Sequence, residues 1–173
     1  MNKKTMLPAV LLCGLAGAAL AGPEYPPRKP GLWEMKMSQA DGKSAPMVSH
    51  QCIDAKTDQA MRDMGQGMGQ NACSKNEMRK DGDKLVVDSV CKMGSSTTTS
   101  RTVLSGDFGN AYRAEIKSSY SPPLAGRSEG SAIIETRWVG PCKADQKPGD
   151  MIMANGMKMN VVDMTAMQQG KKK

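Results

Sequence analysis

Four cysteines behind an export signal constrain the fold of this chain more than any other feature. The chain contains five cysteines. Cys13 lies in a segment that we predict to be removed, so that Cys52, Cys73, Cys91 and Cys142 remain. An even number of cysteines in an oxidising compartment indicates disulfides, and four cysteines allow three pairings. The sequence therefore predicts two disulfides, and their connectivity has to come from local geometry.

The export signal occupies residues 1–21. Lys3 and Lys4 precede an apolar run, and Ala19-Leu20-Ala21 has the small-x-small pattern of a signal-peptidase site. The apolar run is shorter than the roughly 20 residues that a membrane-spanning helix needs. We therefore predict a cleaved signal peptide, a periplasmic location and no transmembrane segment in the mature chain.

A hairpin pattern favours one of the three cysteine pairings. An Asp-Gly-Asp turn signal centred on Gly82 separates two strand-like segments. In a hairpin centred there, Cys73 lies opposite Cys91, provided that the turn has three residues or that one strand carries a bulge. The remaining pair is then Cys52–Cys142. By loop-closure entropy the two bridges stabilise the fold by about 3 and about 4.5 kcal/mol.

The alternation of apolar and polar residues predicts strands over most of the exported chain. Trp33, Met35 and Met37 alternate with polar residues, and 47–53 forms a second strand. Further strands are predicted over 74–80, 84–91, 96–104, 110–119 and 130–139, with turn signals between them that include Pro122-Pro123.

One helix interrupts these strands. Helical spacing of Ala60, Met61 and Met64 predicts a helix over 54–64, with Asp54 or Thr57 as its N-cap. The glycines of 65–69 are expected to end it.

These elements predict a mainly β (α+β) fold, in which a curled antiparallel meander sheet holds one packed helix and two disulfides. Proline-rich residues 22–30 form an extended lead-in, and 31–162 form a single domain. Met151–Met153 and Met157–Met159 form a short hairpin within it. Residues 163–173 are predicted to be a flexible, basic C-terminal tail.

The charge balance argues against a nucleic-acid partner. The formal net charge is +7, but Lys3 and Lys4 leave with the leader and three more positive charges lie in the Lys171-Lys172-Lys173 tail. The domain itself is then too weakly basic for the positively charged face of a nucleic-acid binder.

The sequence gives little support to an enzyme. Gly126–Gly130 (GRSEG) matches the G-x-S-x-G nucleophile motif with Ser128 at its centre. That motif needs a following helix and a later histidine, whereas strand-like residues follow and the single histidine is His50. We interpret the segment as a flexible polar loop, and we predict a non-enzymatic protein without a cofactor. A hydrolase built on Ser128 is the weakest functional alternative.

Methionine is unusually frequent, with 16 residues. Thioether sulfurs suit Cu(I), and a Met-x-Met pair on a strand places both sulfurs on one face. Three such pairs occur, to which His50 can add a nitrogen: Met35/Met37, Met151/Met153 and Met157/Met159. The favoured interpretation is that methionines fill gaps in a core with few aromatic residues.

The leading functional hypothesis is a non-enzymatic binding or envelope-associated domain. A curled sheet can hold a small apolar ligand or a segment of an envelope protein. Trp33 and Trp138 are the candidate lining residues, although ordinary core packing is the stronger explanation for each. A periplasmic Cu(I)-binding protein that uses the methionine pairs is the alternative.

Four stretches together resemble a known family. They are Pro30–Glu34 (PGLWE), Cys52 at the start of the helix, Arg137–Cys142 (RWVGPC) and Lys147–Met151 (KPGDM). In order and spacing they resemble the small secreted proteins of Gram-negative bacteria catalogued as domain of unknown function 3617. The resemblance covers roughly 30–162 and implies an exported single domain with paired cysteines and no established activity. It carries over no catalytic residue, and the methionine content and the lysine tail depart from its pattern.

Overall fold

The computed structural model describes residues 24–42 and 44–170. The predicted signal peptide, 1–21, lies outside the described residues, as do the last three lysines of the predicted tail. Residues 24–30 of the lead-in form neither helix nor strand. No helix in the described part of the chain has the length and apolarity needed to span a membrane.

An antiparallel sheet of nine strands dominates the described residues, in the order β3-β4-β5-β6-β7-β1-β2-β8-β9. Strands β3 to β7 form a meander, and β1 joins its far side by pairing with β7. This architecture confirms the predicted mainly β fold. The elements are β1 Gly31–Gln39, β2 Met47–Ile53, α1 Ala55–Ala72, β3 Cys73–Asp81, β4 Lys84–Met93, β5 Ser96–Asp107, β6 Ala111–Leu124, β7 Arg127–Gly140, β8 Asp150–Ile152, β9 Lys158–Asn160 and α2 Val161–Gly170.

Helix α1 lies against one face of the sheet, which we call the inner face. Met35 in β1, Gln51 in β2, Leu104 in β5 and Tyr112 in β6 belong to this face and surround a common cavity with α1. Side chains of β1 to β6 and of β8 reach that cavity, so the inner face is concave. The core lies beside it, where cross-strand register aligns Leu85, Leu104 and Ala114.

Both predicted disulfides, Cys52–Cys142 and Cys73–Cys91, are present. The β3–β4 hairpin pairs Asp81 with Lys84, so its turn has two residues and lies half a residue beyond the predicted centre. A register shift between Cys73 and Lys75 restores the alignment of Cys73 with Cys91. Of the two conditions predicted for this pairing, a three-residue turn or a bulge, the structure has the bulge.

Helix α1 differs from its prediction at its C-terminal end. Asp54 is the N-cap: its carboxylate accepts a hydrogen bond from the Thr57 N–H at 2.8 Å, and the Thr57 hydroxyl accepts one from the Asp54 N–H at 2.9 Å. The helix does not stop at Gly65 but continues through Gly67 to Ala72. A helical glycine costs about 1 kcal/mol relative to alanine, which is small enough for contacts of the surrounding fold to override.

Strand β6 also continues where a turn was expected. It runs through Pro122 and Pro123 to Leu124, and the register with β7 shifts between Ser119 and Leu124. Prolines have no N–H for a ladder, and this irregular stretch accommodates them. The next strand begins at Arg127, so the predicted flexible loop around Ser128 is wrong.

A second helix, α2, replaces the first part of the predicted flexible tail. Val161 is fully buried, and the Asn160 side chain accepts a hydrogen bond from the Val162 N–H at 2.9 Å, as an N-cap does. Helix α2 packs against α1. The predictions of a single helix and of a flexible tail are therefore wrong for 163–170. Burial of Val161 and the Asn160 cap stabilise a helix here, although the sequence has no clear amphipathic periodicity.

The predicted methionine hairpin is present as β8 and β9, with Met151 opposite Met159. Asp150 anchors it by accepting hydrogen bonds from the Lys147 N–H and the Asn160 amide, each at 2.9 Å, and by pairing with Lys158 at 2.9 Å. Burial acts to raise the pKa of Asp150, but these bonds together outweigh it and hold the pKa at about 2.

Candidate ligand-binding site

A cavity of about 540 Å³ lies between α1 and the inner face of the sheet. Its volume falls within the range of roughly 300–1,000 Å³ that is typical of small-molecule sites. The apolar and aromatic part of its wall consists of Tyr25, Pro26, Met35, Met61, Met64, Leu104, Phe108, Tyr112 and Met151, beside the Cys73–Cys91 bridge. Such a wall suits a ligand that is mainly apolar.

An aromatic cluster forms one side of the cavity. The rings of Phe108 and Tyr112 stack with centroids 5.3 Å apart, and Trp33 lies behind them with its centroid 6.3 Å from that of Tyr112. Burial, and then the proximity of Tyr112, raises the pKa of Tyr25. Tyr25 therefore adds a neutral phenol to this part of the wall.

The two tryptophans proposed as lining residues are not among the residues that line this cavity. Trp33 is fully buried and donates from Nε1 to the Lys29 carbonyl at 2.7 Å. Trp138 donates from Nε1 to the Pro30 carbonyl at 3.0 Å, and the Lys29 ammonium lies 3.8 Å from its ring centroid. Trp33 supports the cavity wall from behind, whereas Trp138 holds the lead-in against the end of the sheet.

A buried ionic cluster forms the polar part of the wall. The Asp58 side chain, 1% exposed, accepts hydrogen bonds from the Arg28 N–H at 3.0 Å and from Arg28 Nε at 2.8 Å. Arg62, one turn along α1, also donates to Asp58. Arg28 donates further to Gln51 Oε1 at 2.8 Å and to Met61 Sδ at 3.6 Å. The cluster ties the lead-in, α1 and β2 together at the cavity.

Sequence reasoning missed this cluster. Arg28 lies among the prolines of a segment that was expected to be a simple extended lead-in, and 30 residues separate it from Asp58. The one available signal was the Asp58/Arg62 spacing, which places an acid and a base on the same side of a helix.

The methionine pairs are only partly brought together. Met35 and Met151 line the cavity, together with Met61 and Met64 of α1. Their partners in the predicted pairs do not line it, and neither does the third pair: Met37, Met153, Met157 and Met159. Met153 and Met157 are exposed. Among the described residues, no group of three or more His, Cys, Asp and Glu side chains forms a metal site.

The two disulfides have different relations to the cavity. Cys73–Cys91 belongs to its wall, next to the start of β3. Cys52–Cys142 does not line the cavity; it lies near the C-terminal end of β2, where the Gly149 N–H donates to the Cys52 carbonyl at 2.8 Å. The first bridge therefore fixes the site, and the second fixes the chain that leads to β8.

The outer face of the sheet is ionic. Arg137 donates to Glu34 at 2.8 Å, and His50 lies 3.6 Å from the same carboxylate. The hydrogen bond from Arg137 lowers the pKa of Glu34, against a smaller opposing effect of burial. Ser128 is an exposed residue of β7, and the strand-turn-helix geometry of a nucleophile elbow does not surround it. Glu34, His50 and Arg137 therefore form a partly exposed cross-strand group on this face.

Comparison with known proteins gives a family and no closer relative. No curated protein and no solved structure matches the chain. A family model described as "Protein of unknown function (DUF3617)" matches residues 28–142. This span contains β1 to β7, both disulfides, α1 and the Arg28–Asp58–Arg62 cluster, whereas Met151 lies beyond it. On this match, which covers most of the chain, the protein belongs to the DUF3617 family.

Proposed function

We propose that this protein is a non-enzymatic binding protein of the periplasm, which holds a small and mainly apolar ligand between α1 and the inner face of its sheet. The observation that carries the proposal is the cavity itself, which combines a volume of about 540 Å³ with a mainly apolar wall. Sites of this type bind ligands by burying apolar surface, and a few polar groups fix the orientation.

Two features of the wall favour ligand binding over simple imperfect packing. The sheet and the Cys73–Cys91 bridge form a fixed side, so little ordering is needed when a ligand enters. The opposite side carries Met61 and Met64, whose unbranched thioether side chains adapt to different ligand shapes.

The periplasmic location rests on the leader pattern of residues 1–21 and on the two disulfides. Expression of the full chain with a C-terminal tag tests it. We expect the tagged protein in the periplasmic fraction, with Gly22 as its first residue by N-terminal sequencing. An uncleaved cytoplasmic product would contradict the location.

A fluorescence titration tests ligand binding. N-phenyl-1-naphthylamine is a neutral apolar probe, and we expect it to bind the mature protein at one saturable site with increased emission. Gly65 lines the cavity, and a Cβ atom built there meets no other atom within 4 Å. Gly65→Phe should therefore place a ring in the cavity and weaken probe binding about tenfold or more.

Gly67→Phe is the matched control. Gly67 belongs to the same helix and has equal space around it, but it does not line the cavity. This variant should bind the probe as the wild type does. If wild-type protein does not bind the probe, or if both variants bind it equally, the proposed site is wrong.

We propose Cu(I) binding as a second candidate, because four methionines line the same cavity. Competition with a Cu(I) chelator tests it. Met35→Leu/Met151→Leu should then weaken copper binding, whereas Met153→Leu/Met157→Leu, which replaces exposed methionines, should not. Equal affinity in the wild type and the first variant would exclude these sulfurs as ligands.

A further inference from the structure

We infer that the ligand of this cavity is a single-chain amphiphile with one negative charge, of the fatty-acid class, whose carboxylate binds at Arg62. The inference rests on the proposed function and adds the chemical class of the ligand. It follows from the charge balance of the cavity wall and from the positions of its three charged side chains.

The wall of the cavity carries one unbalanced positive charge. Its charged lining residues are Arg28, Asp58 and Arg62, so one carboxylate faces two guanidinium groups. The three side chains are 10%, 1% and 17% exposed, respectively. Burial of a charged side chain to this extent costs free energy unless a group of opposite charge lies beside it. One anionic group on the ligand would complete the balance.

The hydrogen bonds distinguish the two arginines. Arg28 is held by hydrogen bonds from its own donors. Its backbone N–H and Nε donate to Asp58, Nη1 donates to Gln51 and Nη2 donates to the sulfur of Met61. Arg28 is therefore the structural counterion of Asp58. Arg62 donates to Asp58 from Nη1 and to Gln59 from Nη2, and it is the more exposed of the pair. A guanidinium has five N–H donors in a planar fork, so Arg62 retains donor capacity for a carboxylate.

The rest of the wall determines the body of the ligand. The apolar part of the wall is shared by α1 and the sheet, because Met64 of α1 lines the same cavity as Met35, Leu104 and Tyr112. An alkyl chain matches this surface, because it gains free energy from every methylene group that it buries. A small hydrophilic anion would satisfy Arg62 but would leave the apolar surface uncovered.

Chain-matched ligands separate the charge from the apolar body. Dodecanoate, 1-dodecanol and dodecylammonium compete with N-phenyl-1-naphthylamine for the mature protein at pH 7.5 and low salt. We expect dodecanoate to bind about tenfold more tightly than the alcohol, as one charge-assisted hydrogen-bonded pair provides, and the ammonium to bind most weakly. Arg62→Gln should lower the ratio of acid affinity to alcohol affinity to about one.

Two further variants complete the test. Arg62→Lys keeps the charge and should retain a preference for the acid. Arg113→Gln removes one positive charge from the outer face, where Arg113 pairs with Glu115 and Glu135, and should behave as the wild type. A preference that survives in Arg62→Gln, or that falls equally in Arg113→Gln, would overturn the assignment to Arg62. Equal binding of acid and alcohol by the wild type would overturn the ligand class and leave the proposed function standing. Failure of all three ligands and of the probe would overturn the proposed function itself.

Discussion

Separate removal of the two disulfides should destabilise this protein to different extents, and the difference can be calculated. The bridges join residues separated by 90 positions in Cys52–Cys142 and by 18 in Cys73–Cys91. The loop-entropy relation gives about 4.6 kcal/mol for the longer loop and about 3.2 kcal/mol for the shorter. Since a domain is typically stabilised by only about 5–15 kcal/mol, either loss is a large fraction of the whole.

Packing acts in the same direction as entropy. Cys52 is fully buried, so Cys52→Ala leaves unfilled space in the folded protein, in addition to releasing the longer of the two loops in the unfolded chain. Cys73 and Cys91 are half-buried at the bulged end of a hairpin whose strands are also paired from Lys75/Val90 to Asp81/Lys84. We therefore expect Cys52→Ala/Cys142→Ala to lose at least about 1.4 kcal/mol more than Cys73→Ala/Cys91→Ala.

Urea unfolding without reductant measures both losses, with tryptophan fluorescence as the signal, to which the buried Trp33 contributes. Each double variant keeps the other bridge and should show a larger m-value than the wild type, because its unfolded chain is less restricted. Equal losses, or a greater loss in the hairpin variant, would refute the argument that loop length determines the order.

Three other perturbations give results of known direction. Gly65→Ala and Gly67→Ala should each raise the free energy of unfolding by about 0.5–1 kcal/mol, since both positions are helical and have free space; a lower urea midpoint would contradict this. Asp58→Asn should cost about 3–5 kcal/mol by leaving buried guanidinium groups unpaired, and should speed proteolysis of the lead-in; unchanged cleavage would show that Arg28 does not anchor it. Asp150→Asn should cost roughly 2 kcal/mol at pH 7, because the pKa of Asp150 falls from 3.8 to about 2 on folding. The lowered pKa stabilises the fold only where the group is ionised, so the difference from the wild type should shrink as the pH is lowered from about 4 to 2, and a constant difference would contradict the assignment.

Much of the sheet could be predicted because its determinants are local. Period-two alternation around Trp33 places one face of β1 inward, and short turn signals separate the strands of the meander. The Cys73–Cys91 bridge could be predicted because register in a hairpin follows from the position of the turn. The predicted centre of the turn was wrong by half a residue, and a bulge between Cys73 and Lys75 compensates for this difference.

The errors in the fold arise where distant contacts override local preference. Gly65 and Gly67 are poor helix formers, yet α1 continues through them because other parts of α1 pack against the sheet and against α2. The start of α2 depends on the Asn160 cap and on burial of Val161. That burial comes from tertiary packing, which no periodicity in the sequence reports.

The candidate site was harder to predict than the fold. The sequence predicts a curled sheet with space for a ligand, and its candidate lining residues are Trp33 and Trp138, with core packing as the stronger explanation for each; neither lines the cavity, and Trp33 lies behind its wall. The charged residues Arg28 and Asp58 meet because the tertiary fold brings the lead-in to α1. A pair that is 30 residues apart, with one member in a segment without regular structure, leaves no spacing pattern in the sequence.

The ionic cluster has two parts with separate roles: the Arg28–Asp58 pair anchors the lead-in, and Arg62 is the proposed partner of the ligand's carboxylate. Asp58 is satisfied by two independent bonds from Arg28, so a carboxylate that draws Arg62 towards itself leaves Asp58 paired. Ligand binding therefore need not release the lead-in, which Lys29 also holds at the ring of Trp138. If the two arginines shared Asp58 equally, each bound anion would instead weaken the anchor of the wall that it binds. The unequal division of hydrogen bonds between Arg28 and Arg62 allows the same cluster to serve as both a fixed support and an anion site.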